Sequence, residues 1–365
     1  MRIVHIFRTP VGGLFRHVRD LVKGQSELGH QVGVICDSST GGERATRLLD
    51  SIALCCALGI HRFPVSRLPG FGDIGAIQKS RNLLASLRPD VVHGHGAKGG
   101  LYGRLGAKLL GLPSVYSPHG GSLHFNWSNP GGAAFLSAEL IERRIGSGLL
   151  FVCDYERRAF DSKIGVGNTP NAVVYNGLWP EEFEPVEPLP DATDFLYVGE
   201  LRKLKGTDVL IDAMALLRGK RTLSATIVGD GEDRKNFERL VADKGLACCI
   251  NFCGSMPARK AFSMGHILIM PSRAESFPYI ILEALAARLP IIATRVGGIP
   301  EILPDQSLIE AGNPTALATA MEDALNHLDC MRHRATDLAE HIASRYSAMT
   351  MAEQITKFYQ PLIQT

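Results

Sequence analysis

No stretch of this chain approaches the roughly 18 continuous apolar residues of a membrane-spanning helix, and the N-terminus has no signal-peptide pattern. The expectation is a cytoplasmic protein. The eight cysteines stand singly or as the adjacent pairs Cys55–Cys56 and Cys248–Cys249, with no C-x-x-C. Neither a zinc ribbon nor a disulfide framework is indicated, and cysteines in apolar runs behave as small core residues. Net charge is only +2, so bulk electrostatics gives no reason to expect a nucleic-acid partner. Low-complexity tracts and short repeats are absent. What remains is 365 residues, 45% hydrophobic and 21% charged, enough for two domains with ample cores.

Strand and helix patterns alternate along the first half. Arg2 to Phe7 reads as a strand, Thr9-Pro10-Val11-Gly12-Gly13 as a turn, and a helix opens near Leu14. The turn has no G-x-G-x-x-G, so a dinucleotide fingerprint is excluded. Further strands are expected at 31–36, 61–65, 90–93, 114–117, 149–153 and 172–175. Such alternation predicts a doubly wound parallel sheet, whose ligands bind beyond the carboxyl ends of the strands. Two of those ends carry histidines beside glycines. One has His93, His95 and Lys98; the other is Pro118-His119-Gly120-Gly121. His93-x-His95 could ligate a metal, but no third ligand stands at a suitable local spacing, so no metal site is expected. The loop from His124 to Gly132, with Trp127, could hold a sugar or merely anchor itself.

A Pro- and Glu-rich segment after Asn176-Gly177 reads as a domain connection, and alternation restarts at Asp194. Arg202 and Lys205 precede a helix at about Thr207, where cations and free N–H groups together suit a phosphate. Ordinary solvated surface charge is the alternative. The most informative stretch is 266–301. A short apolar strand ends at Pro271; a polar loop carries Glu275; Pro278 suits the first turn of a helix; Glu283 lies within that helix. A helix N-terminus bracketed by two carboxylates suits a ligand with both phosphate and hydroxyl groups, as nucleotide sugars have.

Glu275 and Glu283, with seven residues between them, resemble the E-x7-E motif of retaining GT-B glycosyltransferases, in particular glycosyltransferase family four. Glu-Ser-Phe, the Glu-Ala helix and Val296-Gly-Gly-Ile-Pro-Glu301 strengthen the likeness. The resemblance implies two Rossmann-like domains facing a central cleft. The first would cover 1–175, with a helix over 348–365 as a candidate to join it, and the second 176–347. It further implies a metal-independent retaining transfer from a UDP- or GDP-linked sugar, with no other cofactor. The acceptor would be a glycan, a lipid-linked sugar or a small molecule, in polysaccharide or glycoconjugate synthesis. The inner membrane face is a candidate peripheral contact.

The implied catalytic set is His119, Glu275, Lys205 and Arg202. Implied substrate contacts are Gly12, Gly13, His95, Lys98, Gly199, Gly229, Gly231, Gly254, Ser276, Phe277, Tyr279, Ile280 and Glu283. Glu275 would hold a donor-sugar hydroxyl and Glu283 the ribose. Absence of D-x-D fits cationic side chains, in place of a metal, on the diphosphate. The chain departs from the family pattern at Glu200, where Arg is usual, and at Pro278, where Gly is usual. Another GT-B enzyme, such as a nucleotide-sugar epimerase, and a non-catalytic binding subunit are the alternative readings.

Overall fold

The computed structural model describes residues 1–364 apart from 69, 122, 124, 125, 129 and 220, and only the backbone of 130, 134 and 135. The chain divides into two compact units, Met1–Gly177 with Ala348–Thr365, and Leu178–Ser347.

The first unit runs β1 (Arg2–Phe7), α1 (Gly12–Glu27), β2 (Gln31–Asp37), α2 (Gly42–Asp50), β3 (Ile60–Phe63), α3 (Gly72–Leu87), β4 (Val91–His95) and α4 (Gly96–Lys108). It continues with β5 (Ser114–Ser117), α5 (Pro130–Glu142), β6 (Gly148–Phe151), α6 (Asp154–Lys163) and β7 (Asn171–Val173). The seven strands are parallel, in the order β3-β2-β1-β4-β5-β6-β7. Short apolar runs such as Ile3-Val4 and Val91-Val92 are buried on both faces, which suits a parallel sheet covered by helices. Close helix packing explains two glycines in the Gly-His-Gly region. A Cβ on Gly94 would fall 2.5 Å from the Gly99 carbonyl, and one on Gly99 would fall 2.2 Å from that of Ile6. These glycines seat α4 on the sheet. Arg104 of α4 is buried, stacks 3.9 Å from the Tyr116 ring centroid and pairs with Glu139 and Glu142 of α5.

The second unit runs β8 (Thr193–Val198), α7 (Thr207–Leu217), β9 (Ala225–Val228), α8 (Arg234–Asp243), β10 (Ile250–Gly254), α9 (Ala258–Phe262) and β11 (Gly265–Met270). It continues with α10 (Tyr279–Ala286), β12 (Ile291–Thr294), β13 (Leu308–Ile309), α11 (Pro314–Asn326) and α12 (Leu328–Arg345). Its six strands are parallel, ordered β10-β9-β8-β11-β12-β13. The last helix, α13 (Ala348–Ile363), belongs to the first unit, where Met351, Ile355 and Tyr359 share a core with Ile3, Leu21 and Val91. The Pro- and Glu-rich segment is not a free connection. Val186 N–H donates to the Ala287 carbonyl and Leu189 N–H to that of Ser263, which ties it along the second unit.

Strand order reverses direction between β1 and β4 in one sheet and between β8 and β11 in the other. These are the switch points at which doubly wound sheets bind ligands. Among the described residues, no helix is long and apolar enough to cross a membrane.

Candidate active site

In the second unit the loop from β11 to α10 is held in place from three sides. The Arg273 guanidinium forms a two-pronged pair with Asp208 at 2.7 and 2.8 Å, and its backbone N–H donates to the Leu204 carbonyl. Thr294 Oγ1 donates to the Ser272 carbonyl at 2.6 Å, and Gly298 N–H donates to that of Ser276 at 2.7 Å. Gly206 (φ +73°) and Gly297 (φ +60°) close the frame. A Cβ on Gly206 would fall 1.9 Å from the Pro271 carbonyl oxygen, and one on Gly297 would fall 2.0 Å from that of Glu275. Both glycines are needed for conformation and for space.

This frame aims Glu275, which is 7% exposed. Its Oε1 accepts from Lys205 Nζ at 2.7 Å and from Ser272 Oγ at 2.7 Å. A buried carboxylate needs such partners. Lys205, expected on a diphosphate, is thus bound to the motif's first glutamate, linking the end of β8 to the end of β11. Arg202, half-buried like Lys205, pairs with Glu232 at 3.1 Å and Glu200 at 3.7 Å. The departure at Glu200 therefore supplies a partner to the arginine assigned in its place.

Pro278 is the residue flanking α10 and not its first helical residue, so the first N–H of the helix is that of Tyr279. Phe277 is buried and its ring lies 5.6 Å from Tyr346. Ser276, Ile280 and Glu283 are half-buried, and Tyr279 is buried. Gly199, Gly229 and Gly231 lie at the ends of β8 and β9, but their lack of side chains serves packing. A Cβ on Gly229 would fall 1.8 Å from the Gly199 carbonyl, and one on Gly231 would fall 2.4 Å from that of Leu201. Gly254 needs glycine for its φ of +69°.

In the first unit, Gly12 and Gly13 are exposed at the start of α1, where an added Cβ would meet nothing within 4 Å. Gly12 alone requires glycine, with φ +81°. The Lys98 ammonium lies 2.6 Å from Asp73 and donates to the Leu68 carbonyl, which leaves one of its three donors for a ligand. His95 is the last residue of β4 and fully buried, where a cleft-wall residue was expected. His5 of β1 lies in register with His93 of β4, and His95 is two residues further on the same face. His5 Nδ1 and His95 Nε2 are 3.0 Å apart, and His95 Nδ1 and His119 Nε2 are also 3.0 Å apart. His17 of α1 completes the cluster, 4.7 Å ring to ring from His119. The fold thus brings to His95 two histidines, His5 and His17, that local spacing did not reveal. A histidine inside the apolar strand Ile3-Val4-His5-Ile6-Phe7 was the available signal for His5. Burial pushes His5 and His17 down to about 4, and holds His93, His95 and His119 well below the ordinary imidazole value. All five are neutral at pH 7. His119 has φ +53°, a conformation uncommon outside glycine, at the end of β5. His124, Phe125 and Asn129 of the aromatic loop lie outside the described residues; Trp127 Nε1 donates to the Lys163 carbonyl, anchoring its side chain.

A family model described as "Glycosyltransferase Family 4" matches residues 11–182, and one described as "Glycosyl transferases group 1" matches residues 192–327. The fold is GT-B, and both matches, over residues 11–182 and 192–327, are to glycosyltransferase family models. Among curated relatives, the phosphatidylinositol N-acetylglucosaminyltransferase gpi3 subunit of Schizosaccharomyces pombe is 24% identical over 96% of this chain and 78% of its own length. A D-inositol 3-phosphate glycosyltransferase of Pseudarthrobacter chlorophenolicus is 27% identical over 79% of this chain and 75% of its own. Among solved structures, Anabaena HepE in complex with UDP and glucose superposes with a TM-score of 0.82 at 18% identity, over 99% of this chain and 100% of that one. Sucrose-phosphate synthase of Thermosynechococcus elongatus gives 0.83 at 18% identity, over the full length of both.

Proposed function

We propose that the chain transfers a sugar from a nucleotide diphosphate sugar to a hydroxyl acceptor with retention of anomeric configuration, and without a metal on the diphosphate. One observation carries the reading: Glu275, buried in the loop before α10, is held by Lys205 and Ser272 in a frame of two obligatory glycines. A carboxylate with one oxygen so fixed has its other oxygen available for a sugar hydroxyl. Lys205 keeps donors in reserve, since an ammonium has three. The N–H groups at the start of α10 favour the diphosphate. Stabilising the negative charge that grows on the departing nucleotide is the main catalytic task, and fixed cations and helix dipoles do this without reorganising.

UDP is the first nucleotide to test, because the HepE structures hold UDP, glucose and UDP-glucose. The donor is assigned to the second unit and acceptor contacts to the strand ends of the first. The phosphatidylinositol and D-inositol 3-phosphate in the names of the two curated relatives make inositol-containing and lipid-linked acceptors the first panel. The inner membrane face is the proposed location for a lipid-linked substrate.

The test is nucleotide release from a panel of UDP- and GDP-sugars with these acceptors, in the presence of EDTA. Turnover that persists with EDTA, falls at least ~100-fold in Glu275→Gln on the scale of a lost preorganised contact, and yields an axial product from an axial donor by NMR is expected. Inversion, or full dependence on added magnesium, refutes the corresponding part. Saturable nucleotide binding with no release from any donor favours the non-catalytic reading.

A further inference from the structure

The first unit contains two three-histidine groups, His5–His93–His95 and His17–His95–His119, and within each a ring nitrogen of every member lies within 4.8 Å of the others. They are not equivalent. In the first, His93 spends one nitrogen on Tyr359 Oη and the other on Ser117 Oγ, while His5 spends its two on Gln25 and His95. In the second, His17 uses only Nδ1, 2.9 Å from Asn176 Oδ1. Its Nε2 is buried and has no hydrogen-bond partner among the described residues.

The amide oxygens fix where the protons sit. Asn176 Oδ1 only accepts, so His17 Nδ1 carries the proton and Nε2 presents a lone pair. Gln25 Oε1 likewise only accepts, so His5 is protonated on Nε2 and its Nδ1 accepts from His95 Nε2–H. His95 Nδ1 is then a second lone pair, accepting from His119 Nε2–H. Moving the His119 proton from Nε2 to Nδ1 exposes a third lone pair without releasing a proton.

We propose that His17, His95 and His119 form a binding site for a divalent transition-metal ion of the zinc, nickel or copper class, with a fourth position left for water. Imidazole nitrogens suit these ions, and three histidines with one open position is an established tetrahedral arrangement. Each buried ligand also has an outer partner of the kind that orients metal-bound histidine: Asn176 for His17, and His5 backed by Gln25 for His95. The three ligands come from α1, β4 and the turn after β5, all anchored by the sheet. The transfer reaction proposed above does not use this ion, and metal binding is measured without it.

The experiment titrates chelator-treated full-length protein with Zn²⁺ alone by calorimetry. One equivalent is expected to bind. Asn176→Ala, which keeps all three ligands, should weaken binding ~10–100-fold, and His17→Ala should weaken it more. Serine at Cys248, Cys249, Cys253 and Cys330 should leave it unchanged. Wild-type protein loaded with Co²⁺ should show the visible absorption of a tetrahedral nitrogen site with no thiolate charge-transfer band, a readout that does not depend on a variant folding. No stoichiometric binding, affinity indifferent to His17, or a cobalt spectrum with thiolate character overturns the proposal.

Discussion

Lowering the pH from 7.5 to 5.5 should selectively weaken the first unit. His5 and His17 are 0% and 1% exposed, and burial brings each down to about 4. In the unfolded chain both titrate near about 6.5. Between these values the unfolded state binds more protons, so stability rises with pH and is lost as pH falls below about 6.5. One pH unit below 6.5 costs each group about 1.4 kcal/mol, or about 3 kcal/mol for the pair. His93, His95 and His119 shift in the same direction and add to the loss. Glu142 acts against it. Burial, helped by Glu139 and opposed by Arg104, raises it to about 7, so the folded state gains a proton over the same range and recovers about 2 kcal/mol. The two histidines against Glu142 leave a net loss of about 1 kcal/mol, and His93, His95 and His119 enlarge it. The chain has only two tryptophans, Trp127 in the first unit and Trp179 in the second. In a Trp179→Phe background, urea melts followed by Trp127 fluorescence at pH 7.5, 6.5 and 5.5 report the first unit. The midpoint should fall across the series, and Glu142→Gln should steepen the fall. A midpoint independent of pH would show that the buried histidines do not remain neutral and would refute the argument.

Three further outcomes follow from the second unit. Gly206→Ala places a methyl against the Pro271 carbonyl at a φ of +73° and should cost at least ~2 kcal/mol by thermal or urea melting; wild-type stability would mean the loop is not held as described. Lys205→Ala should weaken UDP binding by ~1.5–3 kcal/mol by calorimetry, the scale of hydrogen bonds to charged groups, whereas Arg202→Ala, already paired with Glu200 and Glu232, should cost less. Equal effects would show that both cations reach the diphosphate. Glu283→Gln should lower nucleotide affinity with an unchanged melting temperature; a stability loss alone would make it a structural residue.

The sequence by itself determined the local grammar. Apolar runs bounded by glycine and proline marked strands such as Ile267–Met270, and their alternation with helices specified doubly wound parallel sheets. The 266–301 stretch placed Glu275 before a helix and Glu283 within it, because strand, loop and helix there are contiguous and short-range. Tertiary structure decided what the polar side chains touch. Lys205 was legible as a cation at a helix start, but its pairing with Glu275 depends on β8 lying beside β11, a neighbour distant in sequence. Lys98 was claimed by Asp73, which no local pattern linked to it. The glycines at 229 and 231 were expected beside the nucleotide by resemblance, and the packed β8 and β9 ends show that they also make room for backbone. Above all, β1 paired with β4 puts His5 in register with His93, and α1 carries His17 to His119. Side-chain alternation with a period of two aligned His93 with His95 in advance, but sheet order is set by the cooperative burial of whole strands, so the rest of the cluster appears only when the sheet is assembled.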